Sequence, residues 1–320
     1  MGYVAGETIL DDEYNAFVSN SSSPFGYNHI AGTGSAQYGL GQTEIAVTSA
    51  GATVQASQWN ALLTGIDNIA NHTNVSITAR TQVDAGDTIA IKSAVATDLA
   101  ALATAVAAGS TSATALGTNA VGSSTSAATY NTSATIERSV TFANADKMRH
   151  FFNAGGKIRV DPSVVTGIDG LKDDVFNDLT VTATGNLDIG SQVSTRSGSG
   201  ETLTTDGLAN GFHDLGTGYT TILKLTSDNS GYTSNTVEYQ AKLDAAVGSA
   251  VAITVKMIAT DAAADTTFDS PNTESPTVAG NPNEAPKITL ALIEVHPTNA
   301  QGLSANIQSA SNAEVSNSTS

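Results

Sequence analysis

The feature that most constrains this chain is a set of seven short runs in its C-terminal half, at 136–142, 157–160, 179–184, 219–225, 236–243, 251–258 and 288–295. In each, β-branched or aromatic residues alternate with polar ones. A period of two puts one set of side chains on one face of a strand and the other set on the opposite face, the pattern of half-buried β-structure. Gly, Asn, Asp and Pro separate the runs and supply turns. The spacing predicts an antiparallel β-sandwich-like domain over 135–303. One interruption is expected: the text from Ala145 to Asn153 has helical spacing and stops at Gly155-Gly156. The fold class is therefore α+β, mainly β.

Upstream the period changes. Val54, Trp59, Leu62, Leu63, Ile66 and Ile69 fall on one face of a helix over about 55–71. Ile91, Val95, Leu99, Leu102 and Val106 do the same over about 88–107, with Asp87 placed to cap the start and Gly109 just past the end. Residues 50–108 thus read as a helical hairpin with Trp59 as a core anchor. Before it, residues 1–49 read as an extended, turn-rich arm, with Phe25-Gly26-Tyr27-Asn28 and a glycine-rich stretch from Gly32 to Gln42. Glycines permit tight turns there, and Tyr14, Phe25, Tyr27 and Tyr38 supply area that could pin the arm to a neighbour. Residues 109–134, rich in Ser, Thr, Ala and Gly, lack periodicity and read as a linker. Residues 304–320 read as a flexible tail.

Composition excludes several classes. There is no cysteine, which removes disulfides, thiolate metal sites and cysteine nucleophiles. Net charge is -17, with 13 basic residues and none before Arg80. Nucleic-acid affinity comes from cations neutralising phosphates, so no nucleic-acid partner is expected. No apolar stretch approaches the roughly 18–20 residues of a membrane span, and Met1 to Leu10 lacks the pattern of a signal peptide, so neither membrane insertion nor export by that route is expected. Charged residues are 13% against about 25% in typical globular proteins, a composition suited to extracellular or particle-bound β proteins.

The residues of chemistry are scattered. His29, His72, His150, His213 and His296 show no metal-ligand spacing, and His213-Asp214 has no Gly-x-Ser-x-Gly elbow beside it. Asp11-Asp12-Glu13 and Asp173-Asp174 are neighbours in sequence, which does not build the separated carboxylate pair of a glycosidase. Calcium is the one cofactor with any basis, through Asp261, Asp265 and Asp269 or through Asp161 and Asp169, although none of these forms an EF-hand loop. No phosphate loop or dinucleotide fingerprint occurs. No catalytic residue and no enzyme activity is expected.

The string Ser139-Val140-Thr141-Phe142-Ala143-Asn144-Ala145-Asp146-Lys147-Met148-Arg149-His150-Phe151-Phe152-Asn153-Ala154-Gly155-Gly156-Lys157-Ile158-Arg159-Val160 resembles a segment of virion structural proteins of marine tailed phages, including cyanophages. Tyr14-Asn15, the Tyr38-Gly39-Leu40-Gly41-Gln42 turn and Gln58-Trp59-Asn60 are similar to further motifs of those proteins, with Leu40 an insertion in the turn pattern. The resemblance implies a virion component and does not say which one. A tail fibre, appendage or neck protein is the favoured reading, one that binds copies of itself, a trimer by preference, and other virion proteins, with a host surface receptor as a further candidate partner. A head-decoration protein, and a bacterial adhesin or a glycan-binding or glycan-degrading appendage, are the alternatives. On this reading Phe142, Phe151 and Phe152 are core aromatics, Arg149 bonds a buried carbonyl or carboxylate, and Gly155-Gly156 turns helix into strand.

Overall fold

The computed structural model describes residues 11–87, 92–165, 171–263, 285–303 and 311–320. They fall into two compact units, each assembled from separate stretches of chain. The first gathers the described residues of Met1–Gly117, Arg149–Gly156 and His296–Gln308, and the second those of Thr118–Met148, Lys157–Val295 and Ser309–Ser320.

The first unit is helical. Helices α1 (Asp11–Val18) and α2 (Tyr27–Ile30) precede α3 (Ala56–Thr73) and α4 (Lys92–Ala107). The apolar stripe of α3 is buried as its spacing demands, from Trp59 through Leu62, Leu63, Ile66 and Ile69. Gln55 and Gln58 form the capping box that starts it. Val95, Leu99, Leu102 and Val106 of α4 are buried too, and α3 and α4 pack together as the expected hairpin. Arg80 fastens the pair. Its guanidinium binds Asp98 of α4, donates to the Thr78 carbonyl at 3.1 Å and lies 3.9 Å from Asp67 of α3. Helix α4 ends at Gly109, which takes the left-handed conformation (φ +65°) while Ser110 donates back to the Ala105 carbonyl. Residues 88–91 lie outside the described set, so Asp87 is not seen capping the helix; it instead accepts from the Asp84 amide.

The second unit holds two antiparallel sheets. The strands are β1 (Leu116–Thr125), β2 (Ser133–Thr141), β3 (Lys157–Val165), β4 (Leu187–Ile189), β5 (Ser194–Arg196), β6 (Thr202–Asp206), β7 (Thr220–Thr226), β8 (Thr236–Leu243), β9 (Ala252–Thr260), β10 (Lys287–Pro297) and β11 (Ser311–Thr319). One sheet has the order β1-β10-β3-β4-β5 and the other β11-β2-β9-β8-β7-β6. Strands β2, β8 and β9 alternate buried and half-buried residues without a break, and the inward set (Ile136, Val140, Val237, Tyr239, Ile253, Val255, Met257) forms the core. This is the predicted sandwich-like architecture. Helix α5 (Ala145–Asn153) lies between β2 and β3 in sequence, and α6 (Leu171–Asn177) leads into a π-helical stretch at Asp178–Thr184. That helical stretch packs against β3 of one sheet and β7 and β8 of the other.

Four expectations need correction. The alternating run 179–184 is π-helical, not a strand, because its threonines serve the helical backbone: Thr180 donates to the Phe176 carbonyl at 2.6 Å and Thr184 to that of Leu179 at 2.8 Å. The 109–134 linker contains β1, which joins its sheet beside β10 with largely exposed or half-buried side chains, so no hydrophobic period marks it. The tail contains β11, paired with β2 from Ser311↔Thr141 to Thr319↔Ala134. Finally, residues 11–49 are not a free arm: Tyr14, Val18, Ile30 and Leu40 are fully buried in the first unit.

Candidate functional site

The glycine-rich stretch and the Arg149 block are far apart in sequence and meet in the first unit. Residues 34–41 turn sharply, with positive φ at Gly34, Ala36, Gly39 and Gly41. A turn this tight points carbonyls inward with no strand to receive them. The last part of α5 supplies the donors. Arg149 donates to the carbonyls of Tyr38 and, at 2.6 Å, Thr33; His150 lies 3.1 Å from the Thr33 oxygen; Asn153 donates to those of Tyr38 at 2.9 Å and Ala36 at 3.2 Å. These three side chains recur at helical spacing, which puts them on one face of α5. Glycine is required at the contact. A Cβ on Gly39 would lie 2.5 Å from the Thr33 oxygen, and one on Gly41 2.8 Å from His150 Nδ1.

The block continues the same task. His72, fully buried at the end of α3, is 2.9 Å from the Ala154 carbonyl. Burial holds its imidazole below the ordinary value, so it is neutral at pH 7 and donates one ring N–H to that oxygen. His29 is likewise pushed down by burial, with the Arg149 charge adding to the effect. Gly155 (φ +82°) and Gly156 close the helix, Gly156 donating to the Phe151 carbonyl at 2.9 Å. Phe151 and Phe152 are fully buried with rings at 86° and 5.1 Å.

A second device was visible in the sequence but unexplained by it. Three of the chain's six aromatic-asparagine dipeptides, Tyr14-Asn15, Tyr27-Asn28 and Trp59-Asn60, bury the aromatic ring and use the amide to grip extended backbone. Asn15 exchanges two hydrogen bonds with Thr48 (2.8 and 2.7 Å), Asn28 two with Ile45 (both 2.9 Å) and Asn60 two with Val83 (both 2.9 Å). Each side chain thereby mimics one rung of a β-ladder. Repetition of the dipeptide marks candidates only, because it also occurs at Tyr130-Asn131, Phe152-Asn153 and Phe176-Asn177. Of the other named residues, Tyr14 packs on Trp59 with Phe17 opposite, and Phe25, His29 and Tyr38 form a ring cluster. Phe142 is buried in the second unit.

The residues weighed for chemistry do not converge. The acidic runs 11–13 and 173–174 both lie in the first turns of helices, where the helix dipole favours negative charge. His213 packs edge-on against Phe212, and Asp214 accepts from the Gly211 amide. Among the described residues no cluster of three metal-ligating side chains occurs; Asp161 is exposed, Asp261 is paired with Lys172, and Asp169, Asp265 and Asp269 lie outside the described residues. A cleft of about 580 Å³ in the first unit is lined by Tyr14, Tyr27, residues 43–46 and the exposed side of α3. Glu44 is its one carboxylate and is bonded to Thr33, so the lining holds no acid-base pair. Among the described residues no helix is long and apolar enough to cross a membrane. Comparison with family models, curated proteins and solved structures finds no match for the chain.

Proposed function

We propose that this chain is a structural, non-catalytic subunit of a tailed-phage virion, a tail-fibre, appendage or neck component that works by binding copies of itself and other virion proteins. The observation that carries the reading is strand β11. It closes one edge of the six-stranded sheet, yet its side chains are exposed on both faces and Val315 is 54% exposed. It is held by the ladder to β2 and by a few polar contacts, chiefly Arg138 to Asn312 and Asn317 to the Thr125 carbonyl. An open edge of this kind offers its unpaired N–H and C=O groups to another chain. The polar side chains of the resemblance motifs support the same reading, since they grip backbone and leave no reactive group poised at a cleft.

Light scattering on the purified chain in high salt tests the proposal, beside a variant ending at Leu303. The expected result is a discrete oligomer, a trimer by preference, for the full chain and a folded monomer for the truncated one. A full chain that stays monomeric, and antibodies against it that fail to label purified particles, would refute it.

A further inference from the structure

We infer that Lys172 and Asp261 form an intramolecular amide cross-link between α6 and the end of β9. Lys172 Nζ lies 2.8 Å from Asp261 Oδ2, and the two side chains are 2% and 1% exposed. Three other lysine pairs are wetter: Lys157–Asp188, Lys224–Glu238 and Lys256–Glu137 leave the lysine 34%, 32% and 18% exposed. Lysine is almost never fully buried, so this placement is unusual in itself.

The surroundings favour the uncharged state. Tyr130 lies close to Asp261 and packs edge-on against Phe176, their rings 5.6 Å apart, and both aromatics are buried. Burial of two charges carries a desolvation penalty of several kcal/mol per ion, which draws an ammonium-carboxylate pair toward amine and acid by transfer of one proton. The neutral amine then lies 2.8 Å from the oxygen bonded to the carboxyl carbon that it attacks. Asp261 is fixed for attack: its amide donates to the Thr132 carbonyl at 2.9 Å, and Asn235 caps the next two amides at 2.9 and 2.8 Å. Groups held this way reach effective concentrations of about 10⁵–10⁸ M, far above that of water, and so reverse the usual balance against condensation.

The step balances without a co-reactant. The Nζ–Cγ bond forms, one Cγ–O bond breaks, and the departing oxygen leaves as water with one proton from the acid and one from the amine. Tyr130 supplies the remaining element. Its hydroxyl is buried with no hydrogen-bond partner among the described residues, and burial raises its pKa, with the nearby Asp261 charge adding to the effect. A protonated hydroxyl beside Asp261 is the group available to donate to the carboxyl oxygen as that oxygen becomes negative.

Intact-mass spectrometry of the purified full chain, unfolded before measurement, decides the matter. The expected mass is that of the sequence less one water, with a branched tryptic peptide joining the segments around residues 172 and 261. Lys172→Met restores the full mass, Asp261→Asn cross-links with loss of ammonia instead, and Tyr130→Phe leaves a mixture. A wild-type chain at its full sequence mass overturns the inference, as does a loss of water that persists in Lys172→Met. This inference stands independently of the virion assignment, because it rests on the second unit alone.

Discussion

Replacing Arg149 with methionine keeps the length of the side chain and removes both forked donors. A hydrogen bond to a charged group contributes about 1.5–3 kcal/mol net, so two such bonds give an upper range of roughly 3–6 kcal/mol. Neither acceptor is left bare, however. The Tyr38 carbonyl keeps Asn153 at 2.9 Å and the Thr33 carbonyl keeps His150 at 3.1 Å. The desolvation penalty for an orphaned acceptor is therefore largely avoided, and the expected loss is about 2–4 kcal/mol. Trp59, the chain's single tryptophan, is fully buried in the first unit, so its fluorescence reports unfolding there. With a urea dependence of about 2 kcal/mol per molar, the Trp59 midpoint of Arg149→Met should fall by about 1–2 M. Arg149→Lys, with a compact cation in place of the fork, should recover only part of it. A methionine variant whose Trp59 transition coincides with the wild type would show that the block does not hold the glycine turn.

Three further outcomes can be checked with the same probe. Gly39→Ala, at φ +90° with backbone 2.5 Å away, should cost more than about 2 kcal/mol, whereas Gly51→Ala, at φ +78° in open space, should cost about 1 kcal/mol; equal shifts would mean that the turn relaxes freely. Asn60→Ala should lower the transition by about 1 kcal/mol, since Val83 is half-exposed and water can replace the lost bonds, and Asn60→Asp should do no better because its carboxylate faces the Val83 carbonyl; a midpoint unchanged in both would dismiss the ladder-rung role. Burial lowers the folded-state pKa of His29 and His72 from 6.5, so below that value the unfolded chain binds more protons; the stability they contribute is complete above about pH 6.5 and is lost as the pH falls toward the folded values. Midpoints measured from about pH 7.5 to 5.5 should decline, and a His29→Gln, His72→Gln double variant with an undiminished decline would assign the effect to other groups.

Where burial of one face decides structure, the sequence was readable: strands β8 and β9 and helices α3 and α5 are where their periods put them. Beyond that the signal failed for definite reasons. Strand β11 has no buried face to mark, so Ser, Asn and Thr read as a tail although the backbone ladder forms. The run 179–184 has the strand period by composition, but hydroxyls bonding back along the chain satisfy a π-helix. The contact between Arg149 and residues 33–38 depends on a turn built of glycines, whose geometry has no periodic trace. The expectation that Arg149 bonds a buried carbonyl or carboxylate came with the family resemblance, and the carbonyls of Tyr38 and Thr33 fill that role. The pairing of Lys172 with Asp261 was not legible, as their 89-residue separation leaves no local pattern.

The discontinuity of the first unit sets an order on synthesis. The Arg149 donors follow their acceptors Tyr38 and Thr33 by 111 and 116 residues. At about 5–20 residues per second, the nascent glycine turn waits roughly 5–25 s for its clamp, and the stretch beginning at His296 comes later still. A messenger broken before codon 149 thus yields a product without a finished first unit. Completion of translation itself becomes the checkpoint that separates usable subunits from fragments.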